Sequence, residues 1–127
     1  MALIENACLQ TLEVAEYVTI VTQGETEPHL VATWGDYIRA LGIGEDSLVV
    51  PVGHLQTTEA NLKKDPRVQV LAASRQVMGT YGPGQGCLFA GTAEIITEGE
   101  LVDKVKEKFP WARGAMLIRV ESAKTQL

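Results

Sequence analysis

The sequence predicts a mostly antiparallel β-barrel carrying short helices, and three observations predict it. Short β-branched or aromatic runs recur along the chain: YVTIVT at 17–22, HLVATW at 29–34, LVVPV at 48–52, VQVLAA at 68–73, CLFAGTAEIIT at 87–97 and AMLIRVESA at 115–123. The helical stretches between them are short and follow no repeated βαβ rhythm, which disfavours a doubly wound parallel sheet. The chain has 127 residues and shows no internal repeat or linker, so residues 1–127 form one domain around one core.

Taken in order, the first element is a helix over 6–16, with Asn6 as N-cap and Cys8, Leu9 and Leu12 at helical spacing. The runs 17–22 and 29–34 are joined by a turn at Gly24–Pro28 and read as a hairpin. A single helical turn fits 37–41. The third strand, 48–52, contains Pro51, which cannot donate to a ladder and marks the point where the strand leaves the sheet. A helix over 57–64 opens on Thr57 and Thr58, carries Lys63 and Lys64 in its last turn and stops at Asp65-Pro66. Its length of only ~12 Å means that packing holds it. Strand 68–73 is followed by a loop over 79–86, and strand 87–97 carries Gly91 at a bulge or bend. A helix over 100–109 aligns Leu101, Val105 and Phe109 on one face, and strand 115–123 closes the chain. The strands number six or seven.

The composition, 46% apolar and 21% charged, is that of an ordinary globular protein. A net charge of −5 argues against a nucleic-acid partner, which would need a basic footprint. No apolar run approaches the ~20 residues of a membrane span. The N-terminal MALIENACLQ lacks the basic flank of a signal peptide, so the expected location is cytoplasmic. Cys8 and Cys87 have no CxxC context and no fitting His partner, so they read as two reduced thiols and no metal site is expected.

The stretch LVVPVGHLQTTEANLKKDPR at 48–67 carries the chemistry. A strand that delivers the chain to a helix start presents free backbone N–H groups, and such a start holds anions. A capping threonine bonds its own helix N–H, but two adjacent threonines exceed what a cap requires, and their hydroxyls can donate to phosphate oxygens. Glu59 in the first turn repels an anion unless it points away. Arg75, just after strand 68–73, offers a bidentate counter-charge. The GPGQG at 82–86 precedes a strand rather than a helix and reads as a tight loop, not a phosphate loop. His29 and His54 have no nucleophile context. Trp34 and Trp111 sit at element edges, where an indole can stack on a planar ligand or cover an interface. From the residues alone, the reading stops at a small barrel with a candidate anion site.

Several blocks in the same order carry a resemblance: QGE at 23–25, PHLV at 28–31, TW at 33–34, VVPVG at 49–53, TEAN at 58–61, SR at 74–75, GPG at 82–84 and WAR at 111–113. Over almost its whole length the chain resembles the small FMN-binding proteins of sulfate-reducing bacteria, within the pyridoxamine 5'-phosphate oxidase-like split-barrel superfamily. The resemblance implies a six-stranded antiparallel split barrel, a homodimer, and FMN as cofactor at or near the dimer interface. It places Thr33 and Trp34 beside the flavin, and the backbone of Val50, Pro51, Val52, Gly53 and His54 along the isoalloxazine edge. Thr57 and Thr58 fall at the phosphate, with Ser74 and Arg75 as further phosphate-side contacts. Trp111 and Leu127 approach from the partner subunit.

The chain departs from the family pattern in three places. Thr57 stands where the family has lysine, a loss of ~1–2 kcal/mol of phosphate binding. Ala32 stands where it has asparagine. His54 stands where it has glycine, and an imidazole there makes the flavin potential pH-dependent. The implied function is electron transfer through bound FMN, a redox carrier with an unidentified partner protein. Two alternatives stand beside it: a flavin reductase or oxidase, and a split-barrel dimer that has lost FMN and takes another flavin-like or tetrapyrrole ligand.

Overall fold

The structure, a computed structural model, describes residues 2–127. The elements run α1 (Asn6–Val14), β1 (Tyr17–Gln23), β2 (Pro28–Trp34), α2 (Gly35–Leu41), β3 (Ser47–Val52), α3 (Gln56–Lys64), β4 (Arg67–Met78), β5 (Pro83–Ile96), α4 (Glu100–Lys108) and β6 (Gly114–Thr125). The six strands form one antiparallel sheet in the order β2-β1-β4-β5-β6-β3. The sheet curls so that its two edge strands, β2 and β3, line a common cleft. This is the expected split barrel.

Alternation along the strands sets the inside of the curl. Val18, Ile20 and Thr22 of β1, Leu48, Val50 and Val52 of β3, and Val68, Val70 and Ala72 of β4 all point into the core. Phe89, Met116 and Ile118 fill it from β5 and β6, and Leu12 of α1 and Ile38 of α2 close its open end. Pro51 pairs with Ala115 inside the ladder rather than leaving it. This is tolerated because β3 is an edge strand whose outer side needs no donor. The register shifts at Gly91, as a bulge or bend there requires. Ala90 pairs with Ser122 and Gly91 with Val120, however, so the extra residue is Glu121 of the partner strand β6 rather than one of β5. Any Cβ at Gly91 would collide with the Arg119 carbonyl. Under α4 lies a second small cluster of Val102, Val105, Ala112 and Ala115, with Leu101 and Phe109 packed against it.

Four more expectations change. Cys8 and Cys87 are not separate thiols but a disulfide joining α1 to β5, with a Cα–Cα distance of 5.5 Å. Both are buried, and only the packing of α1 on the sheet brings residues 79 positions apart together. The loop expected at 79–86 is largely hairpin, because β4 and β5 continue outward until Met78 pairs with Pro83. Helix α1 is preceded by Glu5, not capped by Asn6, which itself takes a φ of 52°. Helix α3 starts one residue early, at Gln56, behind Leu55 in the left-handed region (φ 51°), and no side chain caps it. The two threonines are therefore inside the first turn and are not spent on capping.

Candidate functional site

The cleft between the sheet edges has a volume of about 470 Å³, within the range of small-ligand sites. Val31, Ala32, Thr33 and Trp34 of β2 form one wall. Pro51, Gly53, His54 and Leu55 form the other, with Ile20, Tyr37 and Trp111 completing it. The lining is largely apolar and aromatic, and His54 and Tyr37 are its ionisable side chains. Trp34 and Trp111 are each about half exposed (53% and 52%), so both indoles have free area to offer a planar ligand. Trp111 packs over Gly53, where an added Cβ would sit 3.3 Å from the indole. Tyr37, Phe109 and Trp111 form a mutual aromatic cluster with centroid separations of 4.9–5.7 Å. The cluster holds the indole against the cleft wall.

Arg113 fixes the backbone of the other wall. Its N–H donates to Val52 O (2.8 Å), its Nε to Gly53 O (2.7 Å) and its Nη2 to His54 O (2.5 Å). Three consecutive carbonyls are thus turned toward one residue. Because each peptide is planar and trans, the N–H groups of Gly53, His54 and Leu55 point to the opposite side. No acceptor among the described residues bonds them. The first-turn N–H groups of Gln56, Thr57 and Thr58 extend this run, since the turn's first backbone bond is Glu59 N to Leu55 O (2.9 Å). The same guanidinium pairs with Glu59 at 2.9 Å. That contact answers the difficulty posed by an acid at the helix start, because the carboxylate is turned to a cation.

Thr58 is fully buried, and its hydroxyl has no hydrogen-bond partner. A helical threonine commonly donates to the carbonyl four residues back. In α1, Thr11 does so to Ala7 O at 2.7 Å. For Thr58 that carbonyl belongs to His54 and is already held by Arg113. A buried hydroxyl without a partner costs about 1–3 kcal/mol. Such an orphan, beside a run of free N–H groups, fits an anionic oxygen acceptor. The residues present therefore suit a ligand that joins a planar ring to an anionic tail.

Of the residues expected at a site, Thr33, Trp34, Pro51, Gly53 and His54 line the cleft together. Val50 and Val52 send their side chains into the core, leaving only backbone to a ligand. Thr57 is exposed next to buried Thr58. Trp111, which the resemblance assigns to the partner subunit, lines the cleft of its own chain. Ser74, Arg75 and Leu127 are not in this cleft. They gather at the β4–β5 hairpin, where Leu127 O accepts from Thr80 N (3.1 Å) and Leu127 N donates to Gln85 Oε1 (3.2 Å). The Ser74 hydroxyl accepts from Gln76 N there, and Arg75 is exposed beside Gly84. Sequence reasoning missed Tyr37, Leu55 and above all Arg113. The WAR block at 111–113 contains Arg113, but nothing local signals that it reaches back to residues 52–59.

No family model matches the chain. The FMN-binding protein of Nitratidesulfovibrio vulgaris (strain DSM 19637 / Miyazaki F) is 44% identical to it over 110 residues, 87% of this chain and 88% of the relative. Among solved structures, HupZ of Group A Streptococcus superposes with a TM-score of 0.72 at 15% identity, covering 97% of this chain and 99% of that one. An FMN-binding protein of Syntrophomonas wolfei superposes with a TM-score of 0.65 at 13% identity, covering 93% and 82%. At those identities the structures speak for the fold alone, the split barrel of pyridoxamine 5'-phosphate oxidase-like proteins. The sequence match over most of both chains goes further: this chain belongs to the family of the Nitratidesulfovibrio FMN-binding protein.

Proposed function

We propose that the protein binds FMN in the β2–β3 cleft and serves as a redox carrier. The observation that carries this reading is the buried, unpartnered Thr58 hydroxyl beside the free N–H run at 53–58. In this reading Thr58 and the start of α3 hold the phosphate. The Gly53–Leu55 N–H groups face the polar edge of the ring, where they favour negative charge. Trp34 and Trp111 cover its faces and exclude water. Bound flavin supplies one- and two-electron chemistry; the protein contributes position and electrostatics. His54 is an acid–base group placed to exchange a proton with a ligand in the cleft. The family match supports the flavin, since the relative is named for binding FMN.

The working unit in this proposal is a homodimer. The outer face of the sheet is apolar where a solvated face would be polar. Leu30 of β2 lies opposite Val21, Ala32 opposite Thr19, and Trp34 opposite exposed Tyr17, while Leu71 of β4 continues the row. A contiguous apolar face beside an open edge strand suits burial against a second copy. Ser74, Arg75 and Leu127, remote from their own cleft, then have a route to the partner's. No helix is long and apolar enough to cross a membrane. The expected cytoplasmic location sits awkwardly with the Cys8–Cys87 bridge, since reducing compartments keep thiols apart.

An absorbance spectrum of the purified protein, followed by titration of stripped protein with FMN, tests the reading. A yellow chromophore or stoichiometric uptake is expected; colourless protein that quenches no added FMN would sink it. The carrier is separated from a flavin reductase by anaerobic addition of NADH or NADPH, which bleaches the flavin of a reductase and leaves a carrier's unchanged.

A further inference from the structure

We infer that Arg113 is a positioning residue that sets the chemical character of the cleft wall, turning a segment that would repel an anion into one that accepts it. The inference rests on the FMN reading above and deepens it. Four contacts of one side chain and its own N–H carry it. They draw the carbonyls of Val52, Gly53 and His54 to one side, leaving N–H groups on the other. They occupy the His54 carbonyl, so the Thr58 hydroxyl has no acceptor in its own helix turn. They also pair the Glu59 carboxylate, which is only 19% exposed and stands in the first turn of α3. A free carboxylate there would oppose a phosphate dianion, since it carries the same charge to the same helix end.

Charge masking and backbone clamping are separable. Arg113→Met removes both. Arg113→Lys keeps a cation over Glu59 but lacks the planar fork that spans two carbonyls. FMN and riboflavin share the ring and differ in the phosphate, so their affinity ratio isolates the anionic part. Both are followed by quenching of flavin fluorescence in the wild-type protein, Arg113→Met, Arg113→Lys and the double variant Arg113→Met/Glu59→Gln.

In Arg113→Met, FMN binding is expected to weaken ~10-fold more than riboflavin binding, the share of a like charge beside the phosphate. In the double variant the Glu59 share of that FMN-specific loss is recovered, while the loss common to both flavins stays. Arg113→Lys weakens both flavins and lowers the FMN-to-riboflavin ratio less than Arg113→Met does, because it still masks Glu59 but releases the His54 carbonyl to Thr58. An equal fall for both flavins in Arg113→Met, or no recovery in the double variant, reduces Arg113 to a structural prop and overturns the inference. Should Arg113→Met fail to fold, an unchanged FMN-to-riboflavin ratio in Arg113→Lys, or no change in either affinity, overturns it instead. Wild-type protein that takes up neither flavin overturns the FMN reading and this inference with it. Wild-type protein that binds both, with a ratio blind to Arg113, overturns this inference alone.

Discussion

Replacing Thr58 with valine should raise stability and lower affinity at once. The Thr58 side chain is 0% exposed and its Oγ1 has no partner. Holding that hydroxyl out of water costs the ligand-free protein about 1–3 kcal/mol. Valine has nearly the same shape and helix propensity, so Thr58→Val removes the cost without opening a cavity. A gain of ~1 kcal/mol is expected, a rise in Tm of about 4 °C for a chain of this size. In the proposed site the same substitution deletes one charge-assisted donor to the phosphate, worth ~1.5–3 kcal/mol, so FMN should bind about 10–100-fold more weakly. Riboflavin should bind as before. Thermal denaturation of stripped protein and parallel flavin titrations check both halves. A ligand-free variant that melts lower than wild type would show that the hydroxyl is satisfied after all. An unchanged FMN affinity would show that the phosphate lies elsewhere.

Three further predictions concern the scaffold. The Cys8–Cys87 bridge closes a loop of 79 residues, and loop-closure entropy assigns such a link ~4 kcal/mol. Cys8→Ala or a strong reductant should lower Tm by on the order of 10 °C, and two free thiols in the native unreduced protein would contradict the link. Asp65 is held well below the usual carboxylate range, at about 2, first by its side-chain hydrogen bond to Arg67 and then by the Arg67 backbone N–H. A depressed carboxylate contributes stability above its unfolded value, and loses it as pH falls through its folded value. The Asp65 contribution should therefore fade between about pH 4 and pH 2. Arg67→Gln should return the NMR-detected titration of Asp65 toward the ordinary range. Leu71→Arg places a charge in the middle of the apolar outer face, so under the proposed dimer light scattering should find wild-type protein at twice the mass of the variant. A dimeric Leu71→Arg would move the interface elsewhere.

Much of this protein was legible in its residues. The strand runs, the short helices and the irregular register at Gly91 depend on local alternation, β-branching and backbone freedom, which a sequence displays directly. The free N–H groups within 48–67 were legible for the same reason: a strand running into a helix start announces them. What was hidden depends on contacts between distant residues. Arg113 sits 54 positions from Glu59 in sequence, and no periodicity links the two. Cys8 and Cys87 lack any spacing motif because their pairing follows from where α1 packs on β5. The two threonines looked like equivalent caps. Only the left-handed turn at Leu55, together with the capture of the His54 carbonyl, separates them into one exposed and one buried and unpartnered.

The sequence by itself determined the β-rich split barrel and the strand that runs into the start of α3, because each rests on local patterns and on blocks of residues in order. The tertiary structure alone decided that β2 and β3 meet at one cleft, that Trp111 lines that cleft, and that Arg113 gathers the 52–54 carbonyls to one side. Those are consequences of sheet curvature and of hydrogen-bond partners far apart along the chain, and no window of sequence contains them.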